Sequence, residues 1–334
     1  MENIRVCTEE IERKTLSPYA SLSSATKGRR VYEVPCDIRT DYQRDRDRII
    51  HCKAFRRLKH KTQVFLAPES DHYRTRLTHT LEVAQIARTV ARALRLNEDL
   101  TEAIALGHDL GHTPFGHAGE RALDKLCPEG FRHYEQSGRV CEFLEKDFKG
   151  LNLTAEVIDG IVRHTKGELP STLEGQIVRV ADKIAYINHD IDDAVRAGII
   201  REDDIPKDVT DYLGRSKSRR IDTMVRSLIE NSTDVIKFDD ECGEYFERLH
   251  GFLYENVYLN PAAKSEEAKV DGIIEGLFMY IAKHRDRLPK EYEPDVERDG
   301  FLTAVTDYIA GMTDHYAITV YTSFFIPKSW QLGI

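Results

Sequence analysis

Cysteine is scarce in this sequence, and it never occurs in the closely spaced pairs that bind structural zinc. The chain has 334 residues with six cysteines, and no two of them are arranged as Cys-x-x-Cys. This spacing argues against a zinc-finger site. Scattered, unpaired cysteines also suit a reducing compartment, so we expect a cytoplasmic protein.

Long apolar runs are absent as well. No stretch approaches the length of a membrane span, and Met1 to Asn3 lead into charged residues without the apolar core of a secretory leader. A surplus of positive charge is also lacking, since 48 lysines and arginines stand against 57 aspartates and glutamates, giving a formal net charge of -9. These features argue against a membrane partner and against nucleic acid as the main partner. They still allow a local cationic pocket for a small anion.

Alternation of apolar and polar residues, the pattern of strands, is weak throughout the chain, whereas helical spacing dominates. From Thr78 onward apolar residues recur every three or four positions, with Thr78 as the predicted N-cap. A second helix is expected between a cap at Asn97 and an end near Gly111. Three further helices are predicted by HAGERALDKL, LTAEVIDGIVRHT and EGQIVRVADKIAYINHDIDDAV. The sequence therefore predicts an all-α fold.

No internal repeat or low-complexity linker divides the chain. We expect a polar N-terminal segment at 1–30, a functional core at 31–200, and a C-terminal helical part at 201–334 that packs on the same domain. The polar stretches SKSRR, at 216–220, and EPDVERDG, at 293–300, are expected to be exposed loops or helix ends.

Titratable residues are concentrated in the stretch LGHDLGHTPFGHAGE, at 106–120. His108 and Asp109 are adjacent there, while His79 lies in the first turn of one predicted helix and Asp182 lies inside another. Two imidazoles and two carboxylates on three helices can meet in the core of a bundle and bind a metal. This mixed nitrogen and oxygen set predicts one divalent cation, and it does not select among magnesium, manganese, iron, cobalt and nickel.

The second half of the same stretch predicts a proton-transfer pair. His117 and Glu120 are three residues apart at the start of a helix, so they share one face. A nearby carboxylate orients an imidazole and favours its charged form, whereas a helix N-terminus favours the neutral form. The histidine is thereby suited to activating water or protonating a leaving oxygen near physiological pH.

Two cations are expected at the rim of the metal site, where they would form a cationic pocket for a small anion. Arg76 lies three residues before His79, and Lys183 directly follows Asp182. Arginine offers a fork of donors to phosphate oxygens, and lysine offers a point charge. As isolated residues they would be ordinary surface charges, and this alternative is strongest for Lys183.

The arrangement of His79, the His108-Asp109 pair and Asp182 resembles that of the HD-domain metal-dependent phosphohydrolases. Longer blocks narrow the resemblance to the bacterial deoxyguanosine triphosphate triphosphohydrolase family. They are, in order, RDRDRIIHCKAFRRLKHKTQVF, YRTRLTHTLEVAQIARTVAR, LGHDLGHTPFGHAGE, VRVADKIAYINHDIDDA and a closing GMTDHYA at 311–317. Together they span about residues 42 to 316, most of the chain.

This resemblance implies an HD-domain helical bundle with peripheral helices. It also implies hydrolysis of a deoxynucleoside triphosphate, dGTP or several dNTPs, to a deoxynucleoside and tripolyphosphate. The implied catalytic residues are His117 and Glu120, and the implied metal ligands are His79, His108, Asp109 and Asp182. The implied substrate-binding residues are Gln63, Arg76, His112, Lys183, Tyr186 and Asp190.

The last two substrate-binding residues follow Asp182 at intervals of four and so share its helix face. In related enzymes the tyrosine, here Tyr186, packs on the sugar and hinders a ribose 2'-hydroxyl. The carboxylate, here Asp190, and the glutamine, here Gln63, hold the 3'-hydroxyl. The resemblance further implies a homo-oligomer, and a second dNTP as activator, as in some family members.

Other functions on the same fold stay open at this point. His133 and His164 extend the histidine pattern toward that of two-metal HD phosphodiesterases or 5'-nucleotidases. A catalytically silent nucleotide sensor with a structural metal is a third alternative, against which the intact His117-Glu120 pair argues. Tyr134 stands where the family block often has asparagine, which puts local substrate contacts in doubt.

Overall fold

The computed structural model describes residues 3–63 and 74–327, and this part of the chain is helical throughout its core. No β-strand occurs among these residues, whose extended segments pair only in two isolated bridges, Arg29 with Thr154 and Thr62 with Thr75. The predicted all-α fold is confirmed. None of the helices described combines the length and the apolar character needed to cross a membrane.

The helices of the first two thirds of the chain are α1 Ile4–Thr15, α2 Asp41–Ile50, α3 Lys53–Arg57, α4 Arg76–Ala93, α5 Glu98–Gly107, α6 Gly116–Leu126, α7 His133–Arg139, α8 Glu145–Phe148, α9 Ala155–Val162 and α10 Leu173–Arg196. The remaining helices are α11 Lys207–Leu213, α12 Lys217–Asn231, α13 Asp240–Leu253, α14 Pro261–Lys283, α15 Glu293–Asp299, α16 Phe301–Ala310 and α17 Asp314–Phe325. One π-helical turn, Tyr254–Tyr258, follows α13 and later contributes to the site.

Two hydrophobic cores organise these helices. The first is built by α2, α4, α5, α9 and α10, extends to α12 and α13, and includes Val83, Ile104 and Ile184. The second joins α6 to α14, α16 and α17, with Leu123 and Ile274 fully buried in it. Helix α6 of the predicted 31–200 core thus shares its apolar face with helices of the predicted 201–334 part. The boundaries of that division stay a prediction.

The starts and ends of α4 and α5 set the positions of the site residues. Helix α4 begins at Arg76 after Thr75, so the expected N-cap at Thr78 is wrong by about one turn. Asn97 caps α5 as predicted, because its Oδ1 accepts the N–H groups of Asp99 and Leu100 at 3.1 and 3.2 Å. The expected end near Gly111 is also wrong, since α5 ends at Gly107. His108 and Asp109 therefore lie in the turn that follows it.

This turn is held by α7. Ser137 Oγ donates to the carbonyl of His108 at 2.7 Å and accepts the N–H of Gly111 at 2.9 Å. A Cβ atom at position 111 would lie 2.1 Å from the backbone nitrogen of Ser137, so only glycine allows this close approach.

The two polar stretches expected to be exposed are more ordered than expected. Ser216 caps α12, so SKSRR is a helix start, but Arg220 within it is buried, with Nε 2.9 Å from Asn188 Oδ1. EPDVERDG forms α15 up to its final glycine, and its Asp295 is fully buried. Arg139 Nη2 lies 2.7 Å from its Oδ1, but burial and the nearby Asp307 still raise the pKa of this carboxyl to about 8.

Candidate metal centre and catalytic pair

The four predicted metal ligands converge from α4, the turn after α5, and α10. His79 Nε2 lies 3.1 Å from Asp182 Oδ1 and 3.9 Å from Asp109 Oδ2. His108 Nε2 lies 3.5 Å from Asp109 Oδ1 and 3.8 Å from Asp182 Oδ1. Residues separated by more than one hundred positions in the chain thus point donor atoms at one small volume.

The chemistry of this donor set fits a divalent cation. His108 Nδ1 lies 2.6 Å from the carbonyl oxygen of Ala105, to which it donates, and Nε2 is buried with no hydrogen-bond partner. Burial opposes the charge on Asp182, but the hydrogen bond from His79 and the nearby His108 hold the pKa of its carboxyl below the ordinary value. An ionised carboxylate beside an unpartnered imidazole nitrogen is a set of groups prepared for a metal.

Two further side chains, His189 and Glu82, are connected to His79. His189 Nδ1 lies 3.5 Å from His79 Nδ1, and His189 Nε2 lies 2.8 Å from Glu82 Oε2. Burial lowers the pKa of His189 to about 4. Sequence reasoning missed both residues, although Glu82 follows His79 by three positions and so lies on the same face of α4.

The two predicted phosphate-binding cations lie in different surroundings. Arg76 lies deeper than the expected rim, with only 2% of its surface exposed. Its Nη1 lies 2.8 Å from Asp109 Oδ2, and its Nη2 donates to the carbonyl of Gln63 at 3.3 Å. Arg76 therefore holds a predicted metal ligand, because a buried guanidinium needs a carboxylate. Lys183 is half-buried on α10 and has no ion-pair partner among the side chains that the structure describes.

The predicted catalytic pair forms a direct contact. His117 Nδ1 lies 3.1 Å from Glu120 Oε2, and the histidine side chain is 64% exposed whereas the glutamate is 13% exposed. Glu120 also binds His133, whose Nδ1 lies 2.9 Å from Oε1 and whose N–H donates to Oε1 at 3.0 Å. Burial opposes its charge, but hydrogen bonds from both histidines hold the pKa of Glu120 well below its ordinary value. Glu120 is therefore a fixed negative charge between two imidazoles.

His112 completes this group. Its ring stacks on that of His133 with centroids 4.1 Å apart and lies 5.3 Å from that of His117. His112 is buried, which lowers its pKa, and its Nδ1 has no hydrogen-bond partner. Donor atoms of His112, His117, Glu120 and His133 all lie within 4.8 Å of one another.

His133 and His164 also approach the metal ligands. Donor atoms of Asp109, His133 and His164 lie within 4.8 Å of one another, and the His164 ring is 5.0 Å from that of His108. Burial lowers the pKa of His164 to about 3, and its Nδ1 lies 2.7 Å from the carbonyl of Ile161. Both histidines thus lie beside the predicted metal ligands, as the two-metal alternative requires.

The three residues expected to contact the sugar are half-buried or buried. Tyr186 and Asp190 lie on α10, and Asp190 Oδ2 accepts the hydroxyl of Tyr258. Burial raises the pKa of Asp190 to about 7. The other oxygen of Asp190 and the side-chain oxygen of Gln63 are buried without hydrogen-bond partners. Nothing in the sequence pointed to Tyr258, which lies 68 residues from its partner.

The fold and this arrangement define an HD-domain phosphohydrolase, a metal-dependent hydrolase. Residues 76–187, which contain all four predicted metal ligands, match the HD domain, and residues 236–323 match the phosphohydrolase-associated domain. A phosphohydrolase from Bacteroides thetaiotaomicron has a similar fold, with a TM-score of 0.52 and 18% identity over 84% of this chain and 68% of its own.

Whole-chain relatives give the family. A deoxyguanosinetriphosphate triphosphohydrolase-like protein of Caldanaerobacter subterraneus subsp. tengcongensis is 60% identical over 329 residues, covering 98% of this chain and 97% of the relative. One of Clostridium perfringens is 48% identical over 97% of this chain and 98% of its own. The chain belongs to the deoxyguanosinetriphosphate triphosphohydrolase-like family.

Proposed function

We propose that this phosphohydrolase cleaves deoxynucleoside triphosphates to deoxynucleoside and tripolyphosphate, using one divalent cation held by His79, His108, Asp109 and Asp182. The names of its relatives support this substrate class, and the nitrogen and oxygen donors support a divalent cation. The bond between the 5'-oxygen and the α-phosphorus breaks. The hydroxyl of the attacking water becomes part of the tripolyphosphate, and the remaining proton of that water ends on the released 5'-oxygen.

The contact between His117 and Glu120 beside the four-ligand cluster is the observation that carries this proposal. His117 moves the proton, by taking it from water or giving it to the leaving oxygen, and Glu120 orients the ring. When bound, the cation polarises a phosphoryl oxygen. Lys183 and His112 contact the phosphates, with Arg76 acting through Asp109 or directly.

Selection for deoxyribose is assigned to three residues. Tyr186 packs against the sugar where a 2'-hydroxyl would project, and Gln63 and Asp190 hold the 3'-hydroxyl. The unpartnered buried oxygens of Gln63 and Asp190 support this role, because a buried acceptor without a donor is costly unless a ligand supplies one. A substrate hydroxyl is such a donor.

Product analysis tests the reaction. Protein loaded in turn with each of the five cations is incubated with each dNTP alone and with all four mixed, and the products are resolved by ion exchange. Tripolyphosphate and deoxynucleoside in equal amounts are expected. Turnover that appears only in the mixture indicates an activating dNTP, and absence of turnover in every arm supports the silent sensor.

A two-metal phosphodiesterase or 5'-nucleotidase is the second candidate, and the approach of His133 and His164 to Asp109 favours it. This candidate predicts two bound cations per chain, hydrolysis of a phosphodiester or of dGMP, and no tripolyphosphate. Counting bound metal on the same preparation therefore separates the two proposals, since the first requires one equivalent.

A further inference from the structure

The closing block GMTDHYA, at 311–317, contributes no residue to the site as described so far. Its Asp314 is the first residue of α17, and its carboxylate binds two backbone N–H groups. Oδ2 accepts the N–H of Thr62 at 2.9 Å, and Oδ1 accepts the N–H of Phe115 at 2.8 Å. Each oxygen thus holds a different segment of the chain.

Both segments lead directly into the site. Thr62 precedes Gln63, and Phe115 precedes Gly116, at which α6 begins, with His117 next. Phe115 has left-handed backbone angles, φ 64° and ψ 23°, which an aromatic residue adopts at a cost. Such a conformation persists where surrounding contacts fix it. The hydrogen bond from the Phe115 N–H to Asp314 is one of those contacts.

Lys61 forms further hydrogen bonds between the segments that Asp314 contacts and the segment that carries Asp314. Its side chain is buried, and its Nζ donates to the carbonyls of His112 and Ala310, the latter at 2.8 Å. Lys61 directly precedes Thr62, His112 begins the loop that ends at Phe115, and Ala310 ends α16 just before the closing block. Four hydrogen bonds, two accepted by Asp314 and two donated by Lys61, therefore join segments 61–62, 112–115 and 310–314.

We propose that Asp314, assisted by Lys61, is a positioning residue for proton transfer, which holds the start of α6 so that His117 faces both Glu120 and the metal centre. This inference rests on the proposed function and deepens it. It also gives the C-terminal region a part in the reaction, because Asp314 lies within the phosphohydrolase-associated match at 236–323.

Two features separate this role from support of the metal centre. None of the four predicted metal ligands contributes a side chain to the hydrogen bonds of Asp314. Those ligands lie on α4, on the turn after α5 and on α10, which belong to the first core. Asp314 reaches the start of α4 only through the 61–62 segment, which pairs with Thr75 and Arg76, whereas it binds the N–H of Phe115, directly before α6 of the second core, itself. Loss of the carboxylate should therefore misplace His117 while bound metal remains.

Asp314→Asn tests the proposal, because an amide keeps the size of the side chain but presents one acceptor in place of two. We expect kcat to fall roughly 10- to 100-fold, as for a lost hydrogen bond to a charged group. Bound metal should stay at one equivalent, and KM should change less than kcat. The pH profile of kcat should shift in the limb that His117→Ala removes.

Asp271→Asn is the matched control. Asp271 also lies in the C-terminal region and also contacts α6, through an exposed ion pair with Lys125 at 3.2 Å, but it does not bind the backbone beside His117. Its variant should keep the wild-type kcat and pH profile. Asp314→Glu retains two acceptors on a longer side chain and should lose less activity than Asp314→Asn, and it serves as the test if the asparagine variant does not fold.

Three results would overturn the inference. They are an Asp314 variant with the wild-type kcat and pH profile, one that loses its metal together with its activity, and one whose activity loss matches its unfolded fraction. The His117 ring proton, assigned by its disappearance in His117→Ala, provides a readout without substrate. Its NMR titration should change in Asp314→Asn even if the wild-type protein hydrolyses no dNTP, so failure of the proposed function stays distinguishable.

Discussion

At the residue scale, exposure distinguishes the two members of the predicted catalytic pair. His117 is largely open to solvent, whereas Glu120 is mostly covered and binds two histidines. An accessible imidazole can exchange protons with water and substrate, while a covered carboxylate between two rings keeps its charge and its place. In the proposed reaction, His117 is therefore the group that moves the proton and Glu120 is the group that holds His117 in place.

We expect His117→Ala to lower kcat by roughly 10²- to 10⁴-fold with bound metal retained, the usual effect of losing a general acid or base. Glu120→Gln should cause a smaller loss and a shifted pH profile, because it removes the charge that orients His117. The double variant should lose less than the product of the two single effects, since a coupled pair fails as a unit.

The measurement is kcat together with metal content on the same preparations of these variants. If His117→Ala loses metal along with activity while Glu120→Gln behaves as wild type, then His117 is a metal ligand and Glu120 a bystander. The closeness of His112 and His133 to both residues makes this check necessary.

Asp190 gives a prediction about pH and stability. Burial raises the pKa of its carboxyl to about 7 in the folded protein, so between about pH 4 and pH 7 the folded state holds a proton that the unfolded chain has released. Its contribution to stability is complete below about pH 4 and is lost as the pH rises through 7. Asp190→Asn should therefore show a smaller fall in the free energy of unfolding across this range, by up to about 4 kcal/mol for three pH units.

Urea unfolding at pH 4.5 and pH 7.5 on both proteins measures this difference. Tyr258→Phe is the contrasting variant, because the hydroxyl of Tyr258 donates to the ionised form of Asp190. Its removal should raise the pKa of Asp190 further and steepen the decline. Identical slopes for wild type and Asp190→Asn would show that this carboxyl is ionised across the whole range.

At the element scale, spacing within a helix was predictable and contact between elements was not. The sequence placed Asp182, Tyr186 and Asp190 on one face of one helix, and all three lie on α10, Leu173–Arg196. Periodicity gives the face of a residue but not its depth. For this reason Arg76 was expected at the rim, and it lies buried against Asp109 instead.

Partners that come from distant elements gave no signal in the sequence. Asp314 meets Thr62 across 252 positions and Phe115 across 199. Asp295 was expected in an exposed stretch because its neighbours are charged and a proline precedes it. It is buried beside Arg139, 156 residues away, and beside Asp307, and burial together with Asp307 raises the pKa of its carboxyl to about 8. The charge of a residue shows that it needs a partner if it is buried. Only the packing of helices shows which distant residue that partner is.

Helix α10 also carries the prediction on sugar selectivity. We expect a strong preference for dGTP over GTP, because a 2'-hydroxyl would collide with Tyr186 and find no partner there. Tyr186→Ala should reduce the ratio of the two kcat/KM values by roughly 10-fold or more, with bound metal unchanged. Tyr19→Ala, at an exposed tyrosine, should leave the ratio as it is. Equal kcat/KM for GTP and dGTP in the wild type would refute this assignment of Tyr186.

At the scale of the whole molecule, charge and core arrangement act together. A chain with a formal net charge of -9 does not attract an anion from a distance, so attraction of the proposed triphosphate substrate has to be local. The cation site and Lys183 lie where the first core brings α4 and α10 together. The proton-transfer pair lies on α6, whose apolar face belongs to the second core. The site therefore depends on both cores at once.

Metal removal tests this dependence for the molecule as a whole. A cation bound to His79, His108, Asp109 and Asp182 links α4, α10 and the turn after α5, so it stabilises the folded state by mass action, about 2.7 kcal/mol at one hundred times Kd. Chelation of the wild type should lower Tm and abolish turnover, and adding back the cation should restore both.

His79→Ala and Asp182→Ala should each lack turnover and lack the metal-dependent rise in Tm, because each removes one of four ligands. The exposed Asp271→Asn should keep both responses. If either ligand variant retained its metal and its activity, the cluster would not be the metal centre, and the search would move to His112, His117, Glu120 and His133, whose donor atoms also lie within 4.8 Å of one another.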